Sequence, residues 1–165
     1  MRKRTLLLLV VLFTSFLFGC GGTRNPSKPP TIYKKNLGHC LRNQFSEIVN
    51  KIVFVRNQYL DDGNMRDIPS QMEINTEWKP RFPFADEKAL GIVAVESRII
   101  VGAKSTGQTR SLTTGAMDYS AYFQAENRVR YAGSADWQQG PITREAKIYF
   151  GDIAEDMAQE FRSSY

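Results

Sequence analysis

The feature that most constrains the fold of this chain is a strict alternation of side-chain character over residues 117–131. The odd positions are mostly apolar, and the even positions are polar or charged. The odd positions read Met117, Tyr119, Ala121, Phe123, Ala125, Asn127, Val129 and Tyr131. A period of two is typical of a β-strand with one buried and one solvated face. Such an extended segment would span about 50 Å, so we expect it to bend, bulge or fold back near Asn127.

Two flanking segments show the same alternation, and each is separated from residues 117–131 by a stretch that contains Gly together with Ser, Thr or Pro. The apolar positions are Val93, Val95, Ile99 and Val101 before it, and Ile142, Ala146, Ile148 and Phe150 after it. Consecutive strands joined by such connectors (residues 104–115 and 132–141) usually pair antiparallel. The sequence therefore predicts a three-stranded antiparallel meander over about residues 90–102, 116–131 and 142–150.

Helical periodicity is found at both ends of the domain. The N-terminal helix is indicated by apolar residues three and four positions apart, at Leu41, Phe45, Ile48, Ile52 and Val55, although residues 51–55 also fit a strand. A C-terminal helix over about 152–163 has Asp152 and Glu155 at capping-box spacing and an apolar stripe at Phe150, Ile153, Ala154, Met157, Ala158 and Phe161. The predicted fold class is α+β, with the meander packed against the C-terminal helix.

Residues 65–88 are broken by Pro69, Pro80 and Pro83 and carry no regular pattern. They are expected to form a covering loop with at most one short strand, within 71–78. The aromatic residues of this segment, Trp78, Phe82 and Phe84, either pin the loop to the core or form an exposed patch for a partner.

The first 22 residues have the pattern of an export signal. Arg2, Lys3 and Arg4 precede an apolar run, and Leu17-Phe18-Gly19 stands directly before Cys20. The run from Thr5 to Phe18 has only 14 residues, whereas a spanning helix needs about 20, so a transmembrane anchor is the weaker reading. The segment resembles the lipobox signal of bacterial lipoproteins, from which Phe18 departs because that position usually holds a small or β-branched residue.

The resemblance implies that residues 1–19 are cleaved and that Cys20 carries lipid chains, which attach the protein to a membrane. Gly21, where an aspartate would signal inner-membrane retention, implies the outer membrane, facing the periplasm, in a two-membrane bacterium. Residues 20–36 are rich in Gly, Pro and Lys, which indicates a flexible basic tether, a plain spacer or a segment that lies against anionic headgroups. Residues 37–165 then form a single domain.

The net charge of +5 belongs to the signal and the tether. Removal of residues 1–19 leaves 19 basic and 17 acidic residues, and residues 20–46 contain five basic residues and no acidic one. Residues 47–165 contain 14 basic and 17 acidic residues, a net charge of −3. Because nucleic-acid binding requires a basic stripe on the folded domain, this composition argues against a nucleic-acid partner.

The sequence contains no recognisable catalytic, cofactor or metal site. His39 and Cys40 are adjacent on a predicted helix and would not face each other, so Cys40 is expected to be buried or to pair with another chain. The acidic groups Asp61/Asp62, Asp86/Glu87 and Asp152/Glu155/Asp156 fit turns and helix starts, and the turn at Gly63 lacks calcium-loop spacing. Lys104-Ser105 lacks the first glycine of a phosphate loop and is expected in a hairpin loop.

Three functions remain open. The favoured one is a non-catalytic envelope lipoprotein, held by acylated Cys20, that acts as an accessory component and docks onto an envelope protein complex, for example through an unpaired strand edge. The second is a carrier of a lipid or another apolar ligand in a pocket lined by Tyr119, Phe123, Tyr131 and Met157. The third is a small anchored envelope hydrolase.

Overall fold

A computed structural model describes residues 29–55, 64–68, 71–111 and 115–163. The fold is a mixture of helices and one antiparallel sheet. Six strands of three or more residues are described: β1 Ile32–Leu41, β2 Asn64–Ile68, β3 Gln71–Asn75, β4 Lys79–Arg81, β5 Ile92–Ser111 and β6 Ala116–Tyr131. A two-residue strand, β7, covers Gln138–Gln139, and the described helices are α1 Arg42–Val55, α2 Ala85–Ala89 and α3 Arg144–Ser163.

The sheet is built around the long antiparallel pair β5–β6. The strand order is β1-β6-β5-β3-β2, with β4 paired to β5 and β7 paired to β6. The alternation predicted for β6 is confirmed, because Tyr119, Ala121, Phe123, Ala125, Asn127 and Val129 are buried and the intervening residues are partly exposed. One face of the sheet is therefore apolar and the other is polar.

The expected fold-back near Asn127 is wrong, since β6 continues to Tyr131. Asn127 is buried in the strand, where its Oδ1 accepts a hydrogen bond from Ser97 Oγ at 2.7 Å and its Nδ2 donates to the Pro141 carbonyl at 3.3 Å. A buried polar side chain whose groups find partners does not need to interrupt a strand.

The third strand of the predicted meander is also wrong. Residues 144–150 form the first two turns of α3, so Asp152 lies inside this helix and does not cap it. The helix begins after Thr143, whose Oγ1 accepts a hydrogen bond from the Ala146 backbone N–H at 3.3 Å. Ala146 and Phe150 are buried while Ile148 is 56% exposed, which is the spacing of a helix face. The apparent alternation arose because positions four apart also fit a period of two.

The start of the domain differs from the prediction as well. Its first described element is β1, so the helix over Arg42–Val55 follows a strand and is not N-terminal, and Leu41 belongs to the strand. β1 begins at Ile32, within the segment expected to be tether. The strand forms there because it pairs with β6 and because Tyr33 packs edge-on against Phe123 and also contacts Phe150.

Residues 71–89 contain more regular structure than expected. The predicted short strand corresponds to β3, and β4 and α2 follow it. The neighbouring strand β2 pairs with β3, which places it at one edge of the described sheet. The connector expected at 104–115 instead continues β5 to Ser111, with register irregularities after Ser105.

The core lies between the apolar face of the sheet and helices α1 and α3. The buried residues of β1, β3, β5 and β6 pack there with residues of the two helices, of which Phe45, Phe150, Met157 and Phe161 are the largest. A second small cluster of Ile92, Val95 and Val129 lies at the other end of the β5–β6 pair. Helices α1 and α3 therefore cover the apolar face of the sheet.

Candidate functional site

The candidate site is the polar face of the sheet, which we call the open face. It is formed by the even-numbered residues of β6 and by their register partners on β5: Tyr122 lies opposite Gly102, Glu126 opposite Arg98, Arg128 opposite Glu96 and Arg130 opposite Ala94. Side chains directly opposite each other in an antiparallel pair lie on the same face and contact each other.

A stack of two tryptophans and three arginines crosses one end of the open face. We call it the tryptophan–arginine stack. The Arg98 and Arg128 guanidinium carbons lie 4.7 and 4.9 Å from the ring centroid of Trp78. The Arg128 and Arg130 guanidinium carbons lie 5.3 and 5.5 Å from the ring centroid of Trp137. Arg128 therefore contacts both rings, and each contact is within cation–π range.

Two glutamates fix two of the three arginines of this stack, Arg98 and Arg128. Arg98 donates from Nε and Nη2 to Glu126 Oε2 at 2.9 and 2.7 Å. Arg128 forms an ion pair with Glu96 across the same two strands. Because each guanidinium is held by a carboxylate and a ring, its planar face and donors have a defined orientation.

The other end of the open face is organised by Tyr122. Its hydroxyl donates to Glu73 Oε2 at 2.8 Å and accepts from Gln71 Nε2 at 3.1 Å. Burial, and then the hydrogen bond to Glu73 and its charge, raise the pKa of the Tyr122 phenol above the usual value of about 10. The ring lies across Gly102, where an added Cβ would be 2.4 Å from the phenolic oxygen. Glycine at this position allows the close approach.

His39 lies on the open face and Cys40 lies in the core. His39 Nδ1 is 2.8 Å from Asp118 Oδ2, and Cys40 is 1% exposed, opposite Tyr119. The two residues point in opposite directions because they are neighbours on a strand and not on the helix expected from the sequence. The contact between His39 and Asp118 could not be predicted from the sequence, because β1 was not predicted as a strand.

Three residues of these acidic groups, Asp86, Glu87 and Glu155, have structural partners. The Glu87 carboxylate is fully buried and accepts from Arg81 at 2.6 and 2.8 Å. Asp86 Oδ2 accepts from the Glu145 backbone N–H at the start of α3. Lys35 and then Arg162 lower the pKa of Glu155 through hydrogen bonds and charge. Asp61 and Asp62 lie outside the described residues, as does Cys20, the predicted lipidation site.

Lys104 and Ser105 lie in strand β5 and not in the hairpin loop expected for them. Within the described part of the chain, no group of three or more His, Cys, Asp and Glu side chains is arranged to hold a metal ion. No helix among the described residues is long and apolar enough to cross a membrane.

Two concave regions bear on the alternative of an apolar carrier. One, of about 210 Å³, lies between β4, β5 and α3 and is lined by Lys79, Arg81, Ser97 and Tyr149 among others. The other, of about 490 Å³, is open to solvent where α1 and β6 begin. Small-molecule sites usually measure about 300–1,000 Å³ and are largely enclosed.

The residues predicted to line a carrier pocket are packed in the structure. Tyr119, Phe123 and Met157 belong to the core between the sheet and the helices, and Tyr131 packs on the second cluster. No family model, curated protein or solved structure matches the chain. The function is therefore inferred from the geometry of the open face.

Proposed function

We propose that this protein is a non-catalytic lipoprotein of the bacterial cell envelope that docks onto an envelope protein complex. In this proposal, acylated Cys20 holds the chain at a membrane, in a two-membrane bacterium the outer membrane facing the periplasm. The folded domain acts as an accessory or assembly component, and the open face of the sheet is its docking surface.

The observation that carries this proposal is the tryptophan–arginine stack on the open face. Tryptophan and arginine are the residues most enriched at the energetic centres of protein interfaces. Trp137 is 37% exposed, and the side chains of Arg98 and Arg128 are each 36% exposed. The orientation of the two arginines is fixed by Glu126 and Glu96, which lowers the conformational entropy that a partner would have to remove.

The docking proposal is tested by crosslinking intact cells and identifying the proteins recovered with the full chain. We expect a reproducible partner with the wild type and at least about tenfold less of it with Trp137→Ala, since loss of a central aromatic residue commonly costs more than 1 kcal/mol. Ile148→Ala is the matched control, because Ile148 is an exposed apolar residue on α3. Recovery of the wild-type chain only as a monomer would contradict the proposal.

The anchor is tested separately. Cells grown with radiolabelled palmitate should label the wild-type chain and should not label Cys20→Ser. Equal labelling of the two chains, or none of either, would refute acylation at Cys20.

A further inference from the structure

Arg130 differs from the other two arginines of the stack in having no carboxylate opposite it. Arg98 and Arg128 each contact a glutamate on the neighbouring strand, whereas the register partner of Arg130 is Ala94. Within residues 29–55, 71–111 and 115–163, no acidic side chain forms an ion pair with Arg130.

The surroundings of Arg130 are exposed and partly apolar. Its guanidinium carbon is 5.5 Å from the centre of the Trp137 ring, and that ring is one of the exposed aromatic groups of the protein. Asp136 precedes Trp137 but is not within ion-pair distance of Arg130, and Gln139, opposite Arg128 on β7, is an exposed amide. This end of the stack thus presents a cation beside an exposed ring.

We propose that Arg130 binds an aspartate or glutamate side chain of the docking partner, while an apolar neighbour of that carboxylate packs on Trp137. A guanidinium matches a carboxylate with two parallel hydrogen bonds, and a partner carboxylate would complete the pattern already formed by Glu126 and Glu96. The inference rests on the proposed docking function and specifies the chemistry that the partner presents.

A single protruding carboxylate fits this face better than an anionic bilayer does. Within the stack, the charges of Arg98 and Arg128 are already offset by Glu126 and Glu96. Arg130 is therefore the one arginine of the stack without a described counter-charge. Attraction to an anionic bilayer surface is supplied by clusters of several basic residues, whereas one carboxylate is enough to pair with one guanidinium.

The test uses the full chain in micelles of a zwitterionic detergent, with poly-L-glutamate as the probe. The chain has two tryptophans, and both belong to the stack, so quenching of tryptophan fluorescence by acrylamide reports on this site alone. We expect poly-L-glutamate to protect the fluorescence from quenching. Trp137→Phe should remove most of the protection, because Trp137 is the ring beside Arg130.

Variants of Arg130 separate its charge from its packing. Arg130→Gln should weaken the apparent affinity for poly-L-glutamate at least about tenfold, as expected for a central interface arginine, and Arg130→Lys should retain part of it. Arg144→Gln is the matched control, because Arg144 is an exposed arginine at the start of α3 that forms no ion pair with a described residue. Its affinity should stay within about twofold of the wild type, since Arg144 takes no part in the cation–π contacts of the stack.

Four results would overturn the inference: no protection by poly-L-glutamate, unchanged affinity in Arg130→Gln, equal losses in Arg130→Gln and Arg144→Gln, or protection by phosphatidylglycerol added to the micelles but not by poly-L-glutamate. The last result would assign the site to a lipid headgroup.

The crosslinking experiment in cells separates this inference from the docking function. If the inference about Arg130 fails while Trp137→Ala still loses its partner in cells, the proposal of docking through the open face stands. If the wild type recovers no partner, the docking function itself fails.

Discussion

Glu87 shows how one buried charge ties two elements together. Its carboxylate is 0% exposed, accepts two hydrogen bonds from Arg81 of β4, and accepts a third from the Phe84 backbone N–H at 2.9 Å. Arg81 also lies over the Phe84 ring, with its guanidinium carbon 4.3 Å from the centroid. The sequence presents Glu87 only as an acid near a helix start, because its partner Arg81 is brought beside it by the fold.

Replacement of Glu87 is expected to destabilise the fold strongly. Glu87→Gln leaves the guanidinium of Arg81 without its counter-charge, and breaking a buried ion pair from one side costs about 3–5 kcal/mol. The change in unfolding free energy should be measured by urea denaturation. Glu155→Gln is the control, because Glu155 is a surface acid that pairs with Lys35 and Arg162, and its replacement should shift the midpoint far less. Equal shifts of the urea midpoint in Glu87→Gln and Glu155→Gln would show that the buried ion pair contributes no more to stability than the surface one.

Tyr122 makes the stability of the folded protein depend on pH in the alkaline range. The pKa of its phenol is raised in the folded state, mainly by burial and then by Glu73, so the neutral hydroxyl is the form that stabilises the fold. This contribution is complete below about pH 10, the usual tyrosine pKa, and is lost as the pH rises through the raised pKa of the folded state.

The Tyr122→Phe variant is expected to be less stable than the wild type by about 1 kcal/mol at pH 8, from the loss of its hydrogen bond to Glu73. The difference should narrow above pH 10. Urea midpoints measured at several pH values for both proteins test this. A difference between wild type and Tyr122→Phe that widens with pH would contradict the assignment.

At the scale of elements, β6 could be predicted from the sequence and α3 only in part. A strand buried on one face leaves its period of two in the sequence, which is why β6 was correctly bounded at residues 116–131. α3 begins eight residues before the predicted start, because Ile142, Ala146 and Phe150, spaced four apart, satisfy both periods. Only the placement of Ile148 on the exposed side distinguishes helix from strand.

Substitutions in the first turns of α3 test this assignment directly. Ala146 is 0% exposed and Ile148 is 56% exposed. Ala146→Lys should therefore destabilise the protein by several kcal/mol, or prevent folding, by placing a charge in the core, whereas Ile148→Lys should stay within about 0.5 kcal/mol of the wild type. Thermal unfolding followed by circular dichroism measures both. Similar losses in the two variants would indicate a strand with both residues on one face.

The open face could not have been assembled from the sequence. Trp78 and Trp137 stand 59 positions apart and lie outside the strands at residues 71–75 and 138–139. They both contact Arg128 only because β3, β4 and β7 flank the β5–β6 pair in a particular register. Register depends on contacts between distant segments, and a single sequence carries little direct information about such contacts.

At the scale of the whole molecule, the two faces of the sheet differ in what packs on them. Helices α1 and α3 bury the apolar face, and a layer of paired charges, Tyr122 and two tryptophans lines the polar one. Antiparallel sheets commonly expose one polar face to solvent. Exposed tryptophan side chains on such a face are not required for folding. We propose that this face, and not the helical layer, contacts the protein partner.

Site-specific photocrosslinking in intact cells distinguishes docking through the open face from docking through the helical layer. A photoreactive amino acid is placed in the full chain at Lys104 and Gln139 on the open face, and at Lys147 and Ile148 on α3, all four being exposed positions. We predict a crosslinked protein of the same mass from both open-face positions and none from the two helix positions. Crosslinks from α3 alone, or from none of the four positions, would contradict docking through the open face.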